Sequence, residues 1–138
     1  MQNMRQSDKI AAVESTREDT ALLSEWRDLL DRHARVTCAL EHALEERHGL
    51  GISEFEVLDR LATAEHDSRI QELADAVHLS QSALSRVVGR LEADGLVNRS
   101  ICAEDRRGIY ACLTEAGRAR HAEARPTHRQ VLEETLSE

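Results

Sequence analysis

Between Ser80 and Leu91 the chain reads SQSALSRVVGRL: three serines (Ser80, Ser82, Ser85), one glutamine (Gln81), two arginines (Arg86, Arg90) and no acid. Such a set suits recognition better than bond-breaking. Gln can bond an adenine edge and Arg a guanine edge in bidentate fashion, each good pair giving roughly 1–3 kcal/mol of base discrimination. Leu84, Val87, Val88 and Leu91 recur at helical spacing, which predicts a helix from Gln81 to Asp94 with the polar residues on its outer side. Ser80 is placed to cap it, and the free amides of its first turn could hold a phosphate. The same residues would also make an ordinary solvated face, so this stretch alone leaves two readings open.

A second cluster follows. Glu104-Asp105-Arg106-Arg107-Gly108 separates two short alternating segments, Val97–Cys102 and Ile109–Leu113, which predicts a β-hairpin with a charged tip. Adjacent guanidinium groups repel unless they meet something negative, and a narrow minor groove is such a place. Asp105 can brace one of them by a salt bridge. A hairpin turning about Arg107 would set Cys102 opposite Cys112, near enough for a strained bridge whose formation would twist the wing. Two small residues filling one face of a ribbon is the alternative.

The elements that must hold these residues are mostly helical. Aromatics are 2% of 138 residues, namely Trp26, Phe55 and Tyr110, so the core must come from aliphatic side chains. Residues 1–15 show no sustained period and are expected as a flexible arm. From about Thr16 to His48 there is no Gly or Pro, and Leu22, Trp26, Leu29, His33, Val36, Leu40 and Ala43 recur in steps of four and three. Such a helix would be on the order of 45 Å long, more than one small domain can cover. A second subunit is the natural cover. Ser53-Glu54-Phe55-Glu56 has capping-box form, and Ser68-Arg69-Ile70-Gln71 repeats it before a short helix. His78-Leu79-Ser80 is the turn into the Gln81 helix. Gly95 is placed as its left-handed C-terminal residue, with Leu96 touching Leu91. Thr114 caps a last helix that Pro126 is expected to kink or split.

The net charge of −8 argues against a chain that adheres to nucleic acid along its whole length, yet Ser80–Tyr110 holds five arginines against four acids. Three cysteines, Cys38, Cys102 and Cys112, make no disulfide framework or zinc knuckle and are expected as reduced thiols. His33, Cys38, His42, His121 and His128 lie on the two helices expected to meet, but without compact ligand spacing, so no metal or cofactor is assigned. No phosphate loop, nucleophile elbow or H-E-x-x-H occurs, which argues against an enzyme. No stretch approaches a membrane span and the N-terminus lacks a signal-peptide core, so the cytoplasm is expected.

Asp105-Arg106-Arg107-Gly108-Ile109-Tyr110-Ala111-Cys112-Leu113-Thr114-Glu115-Ala116-Gly117 resembles the wing signature of the multiple antibiotic resistance regulator (MarR) family, D-x-R followed by an alternating strand and L-T-x-x-G. Leu73-Ala74 and the run Leu79–Val88, with the exit Leu91–Val97, are similar to that family's recognition helix. The resemblance implies a mainly α fold with a small β-hairpin wing, a winged helix-turn-helix with long N- and C-terminal dimerisation helices. It places one domain over residues 16–138, with dimerisation helices at about 16–48 and 115–138 and a DNA-binding lobe at about 53–113. It implies a homodimeric regulator, a repressor by expectation, on a pseudo-palindromic site in double-stranded DNA. Ser80, Gln81, Ser82, Ser85 and Arg86 would make base and phosphate contacts, with Arg90 beyond them. Arg107, braced by Asp105 and flanked by Arg106, would enter the minor groove. Members of the family release DNA on binding a small phenolic or other ligand, on cysteine oxidation, or in response to metal. Trp26 and His33 could line such a pocket, and Cys38, Cys102 and Cys112 are the residues open to oxidation. The acidic balance keeps a second reading open, a winged-helix protein-interaction module that does not bind DNA.

Overall fold

A computed structural model describes residues 5–101 and 108–137. The chain divides into two compact units, Met1–Val36 and Thr37–Glu138. Helix α1 (Gln6–His48) begins ten residues ahead of the expected start, so most of the segment expected as a flexible arm is helical. Straight-chain and small residues such as Gln6, Lys9, Ala11, Ala12 and Glu14 favour helix even where no apolar period shows. Within the first unit, Ile10, Val13, Leu22, Trp26, Leu29 and Leu30 are all between 45% and 64% exposed. That row is left largely uncovered in the single chain.

The second unit holds the core. After the last turns of α1 come α2 (Ile52–Thr63), β1 (Ser68–Arg69), α3 (Ile70–Ala76), α4 (Gln81–Ala93), β2 (Val97–Ile101), β3 (Ile109–Leu113) and α5 (Glu115–Leu136). Leu44, Leu50, Phe55, Val57, Leu58, Leu84, Val88, Leu91 and Val97 are almost wholly buried. The inward face expected of α4, namely Leu84, Val87, Val88 and Leu91, is the buried one. The strands form one antiparallel sheet in the order β1-β3-β2.

Local chemistry sets several boundaries. At the end of α4, Gly95 has φ +75°, its N–H bonds the Glu92 carbonyl at 3.0 Å, and the Leu96 N–H bonds the Leu91 carbonyl at 2.9 Å. This is the Schellman pattern, with Leu91 and Leu96 buried together. Thr114 caps α5 by accepting the Gly117 N–H at 3.0 Å, and its own hydroxyl donates to the Gly95 carbonyl at 2.7 Å. The end of α4 and the start of α5 are thereby joined.

Four expectations need correction. Helix α2 begins at Ile52 with Gly51 as its N-cap and no side-chain cap, so Ser53 lies inside the first turn and the capping box does not form. Gly51 takes the extended cap conformation and its carbonyl accepts the Phe55 N–H at 3.0 Å. Ser68 does not cap α3 either: Ser68 and Arg69 pair with Ala111 and Tyr110 as a short strand, because β3 offers them backbone partners. Pro126 does not split α5, which runs unbroken from Glu115 to Leu136. Proline removes a single intrahelical bond, and packing on either side, at His121, Ala124, Thr127 and Val131, holds the helix across it. The hairpin register is also tighter than expected. Cys112 stands opposite Asn98 and Ile109 opposite Ile101, so a Cys102–Cys112 cross-strand bridge does not follow from the pairing.

Candidate nucleic-acid interface

The turn before α4 aims its first residues outward. His78 sits at φ +58°, the Leu79 N–H bonds the Ala74 carbonyl at 3.0 Å, and the chain re-enters helix at Ser80. Ser80 Oγ accepts the Ala83 N–H at 3.1 Å and lies 3.3 Å from Ser82 Oγ. The first turn carries no acid. Its amides and the positive end of the helix dipole therefore face solvent without an acid of their own turn, the arrangement that receives phosphate oxygens. Ser80→Ala should lower stability by about 1 kcal/mol through loss of the cap, read as the shift in urea midpoint. No shift would mean that water satisfies the Ala83 amide equally well.

Gln81, Ser82, Arg86 and Arg90 are exposed or partly so, and Ser85 is half-buried. One helical turn apart, Arg86 and Arg90 share an open groove of about 610 Å³ with Ser53, Leu79, Ala83 and Val87. The structure thus brings together the serines, glutamine and arginines expected on α4. Asp105, Arg106, Arg107 and Cys102 lie outside the described residues. The strands that lead to and from them end in the Ile101–Ile109 pair, both exposed.

Sequence reasoning passed over two arginines, Arg99 beside α4 and Arg69 on the far strand of the sheet. Arg99, on β2, donates from Nη2 to the Ser85 carbonyl at 2.6 Å, with Ser85 Oγ at 3.5 Å, and its backbone N–H donates to Glu92 Oε2 at 3.1 Å. Arg69, on β1, donates from Nε to Tyr110 Oη at 3.0 Å and holds its guanidinium carbon 5.7 Å from the Tyr110 ring centroid. No local sequence signal marked Arg99, because its partners Glu92 and Ser85 lie seven and fourteen positions earlier.

The remaining candidates are scattered. Trp26 and His33 are exposed on the first unit. Cys38 is an exposed free thiol on α1, and Cys112 is half-buried, its Sγ 3.8 Å from the Asn98 carbonyl oxygen. Among the described residues no group of three or more His, Cys, Asp and Glu is placed to hold a metal. His121 and His128 are used in packing instead. His121 Nε2 lies 2.8 Å from Asp59 Oδ1, His128 Nε2 lies 3.5 Å from Glu56 Oε1, and both rings stack on Phe55. Among the described residues, no helix is long and apolar enough to cross a membrane.

The MarR family model matches residues 50–109, a span that includes α2, α3, α4 and β2. The HTH-type transcriptional regulator MhqR of Bacillus subtilis is 32% identical over 91 residues, 66% of this chain and 62% of that protein, so the match spans under two thirds of the relative's length. Over residues 50–109 this chain is similar to the MarR family. Among solved structures it is similar to the MarR regulator AbsC of Streptomyces coelicolor, with a TM-score of 0.75 and 29% identity over 98% of this chain and 82% of that one. Sco3205 of Streptomyces coelicolor, solved in complex with DNA, shares the fold with a TM-score of 0.76 and 24% identity, covering 98% of this chain and 76% of that one. The mostly helical fold and small antiparallel sheet of this chain are those of a winged helix. The L-T-x-x-G element has a physical reason here. A Cβ on Gly117 would collide with the Leu96 carbonyl oxygen, so glycine lets α5 start against the end of α4.

Proposed function

We propose that this chain is a dimeric, sequence-specific DNA-binding regulator of transcription, acting in the cytoplasm. The observation that carries the reading is the outer face of α4: Ser80, Gln81, Ser82, Arg86 and Arg90 stand together at the surface of a helix whose first turn has no acid. In this reading α4 lies in the major groove. Ser80 and the first-turn amides meet phosphate, while Gln81, Ser82, Ser85 and Arg86 address base edges and nearby phosphates, and Arg90 follows the backbone. The hairpin tip, Asp105-Arg106-Arg107, reaches the adjacent minor groove. The DNA complex of the fold relative Sco3205 is consistent with this use of the scaffold.

The exposed apolar row on α1 supports a second copy as its cover, with α1 and α5 as the dimerisation helices and a pseudo-palindromic site as the consequence. Regulation would be repression, relieved by a small phenolic or other ligand near Trp26 and His33, or by oxidation of Cys38, Cys102 or Cys112.

Selection of bound duplexes from a random pool tests the reading. The wild-type chain should enrich a two-fold related sequence and bind it with a steep salt dependence. Arg107→Ala should weaken binding several-fold or more, and Arg86→Ala should relax preference at one base of each half-site. Enrichment of nothing over random DNA at moderate salt would sink the DNA reading and favour a protein-interaction module.

A further inference from the structure

Beyond Val97, β2 has no apolar hold on the rest of the lobe: Asn98, Arg99, Ser100 and Ile101 are all exposed. Past the buried Val97, what ties this strand to α4 is polar and falls on Arg99. The Arg99 guanidinium donates to the Ser85 carbonyl at 2.6 Å, and the Arg99 backbone N–H donates to Glu92 Oε2 at 3.1 Å. Ser85 and Glu92 are about two helical turns apart on α4. A strand tied at one point can pivot, whereas one tied at two points along a helix has its angle fixed as well.

The guanidinium passes over Gly89 at ordinary contact distance. A Cβ on that residue would stand 3.5 Å from Arg99 Nη2, so the side chain passes over a helix position that has none of its own. The short bond falls on a carbonyl inside the helix, whose second lone pair is free for it, and the donor is charged.

We propose that Arg99 is a positioning residue that locks the wing strand β2 to the middle of α4 and so fixes that strand relative to the DNA-reading face. The inference rests on the DNA-binding reading above. Two reading elements held on one rigid body engage two grooves without further ordering cost, and a loosened wing must lose that freedom at the moment of binding. Arg99 itself is directed at the protein, where Ser85 takes its charge-assisted bond.

The test uses the full chain and the duplex enriched in the selection. Arg99→Ala should lower affinity for that duplex roughly tenfold, equivalent to about 1.4 kcal/mol. The slope of log affinity against log salt should stay unchanged, since no phosphate contact is lost. Arg99→Lys, which keeps a donor for the Ser85 carbonyl, should recover part of the loss. Gly89→Leu, which leaves Arg99 present but occupies its path, should reproduce the loss, and adding Arg99→Ala to it should cost nothing more. Without DNA, amide exchange along β2 should quicken in Arg99→Ala and in Gly89→Leu.

A salt slope shallower by about one in Arg99→Ala would make Arg99 a phosphate ligand and overturn the proposal. Additive losses from the two substitutions would do the same. Unchanged affinity in Arg99→Ala, with the wild-type chain still selective, would overturn the clamp and leave the DNA reading intact. A wild-type chain without sequence preference would instead sink the DNA reading, and with it the positioning role of Arg99, whatever the exchange rates show.

Discussion

Gly117→Ala is expected to destabilise the protein by about 3 kcal/mol, the upper end of what overpacking usually costs. In an unconstrained helix interior the same change would be favourable by up to about 1 kcal/mol, because alanine is the better helix former. Geometry reverses the sign here. The added methyl would meet the carbonyl oxygen of Leu96 and crowd Leu113 Cδ2 at 3.1 Å. A backbone carbonyl cannot rotate away as a side chain can, and this stretch is fixed by the bond from the Thr114 N–H to the Leu96 carbonyl at 3.1 Å. Relief would require moving the start of α5 off the end of α4. The midpoint of thermal unfolding, at fixed protein concentration, should fall by roughly 10 °C. A variant as stable as the parent would mean that the two helices have room to separate, and that the glycine stands there for another reason.

Phe55→Ala should have an effect of comparable or larger size, about 3–5 kcal/mol by the measure of other buried phenylalanines. Phe55 is 1% exposed. It lies against two histidines of α5, with ring centroids 4.3 Å from His128 and 5.7 Å from His121 and both pairs within 23° of parallel. Removing it would create a cavity and strip a stacking partner from both imidazoles. His121 Nε2 would still have Asp59, so that ring cannot swing into the space without breaking the 2.8 Å bond, whereas His128 Nε2, buried without a hydrogen-bond partner, has no such tie. Urea unfolding distinguishes the possibilities. A loss near 1 kcal/mol would show that α2 and α5 collapse onto the vacated volume, and Phe55→Leu should cost less than Phe55→Ala in either case.

What could be read from the residues, and what could not, follows the range of the interactions involved. The cap of α4 at Ser80, its exit at Gly95 and Leu96, and the cap of α5 at Thr114 were legible because each joins groups within a few residues of one another. So was the outer face of α4, since one helical period sorts Leu84, Val87, Val88 and Leu91 from the serines and arginines. The strand at Ser68 and Arg69 was not, because two residues have no period and their partners lie more than forty positions away. Ser68 offered an attractive local reading as a cap, and a distant strand overrode it. The same holds for Cys112, whose facing residue depends on a register set by pairing from the Val97–Leu113 end of the hairpin. At the candidate interface the residues of α4 were found by type, whereas Arg99 was missed because its significance lies in what it touches fourteen positions earlier.

Glu92 gives the sheet a property unconnected with DNA. Within the described residues β2 pairs with β3 along one side, so its other side could present free amides to any extended peptide nearby. The Glu92 carboxylate already holds the Arg99 amide in the middle of that side. A foreign strand would have to evict a charged group from the centre of its docking line before adding itself to the sheet. The bond between helix and wing therefore also obstructs polymerisation through this rim, a protection suited to a chain whose three-stranded sheet does not close on itself.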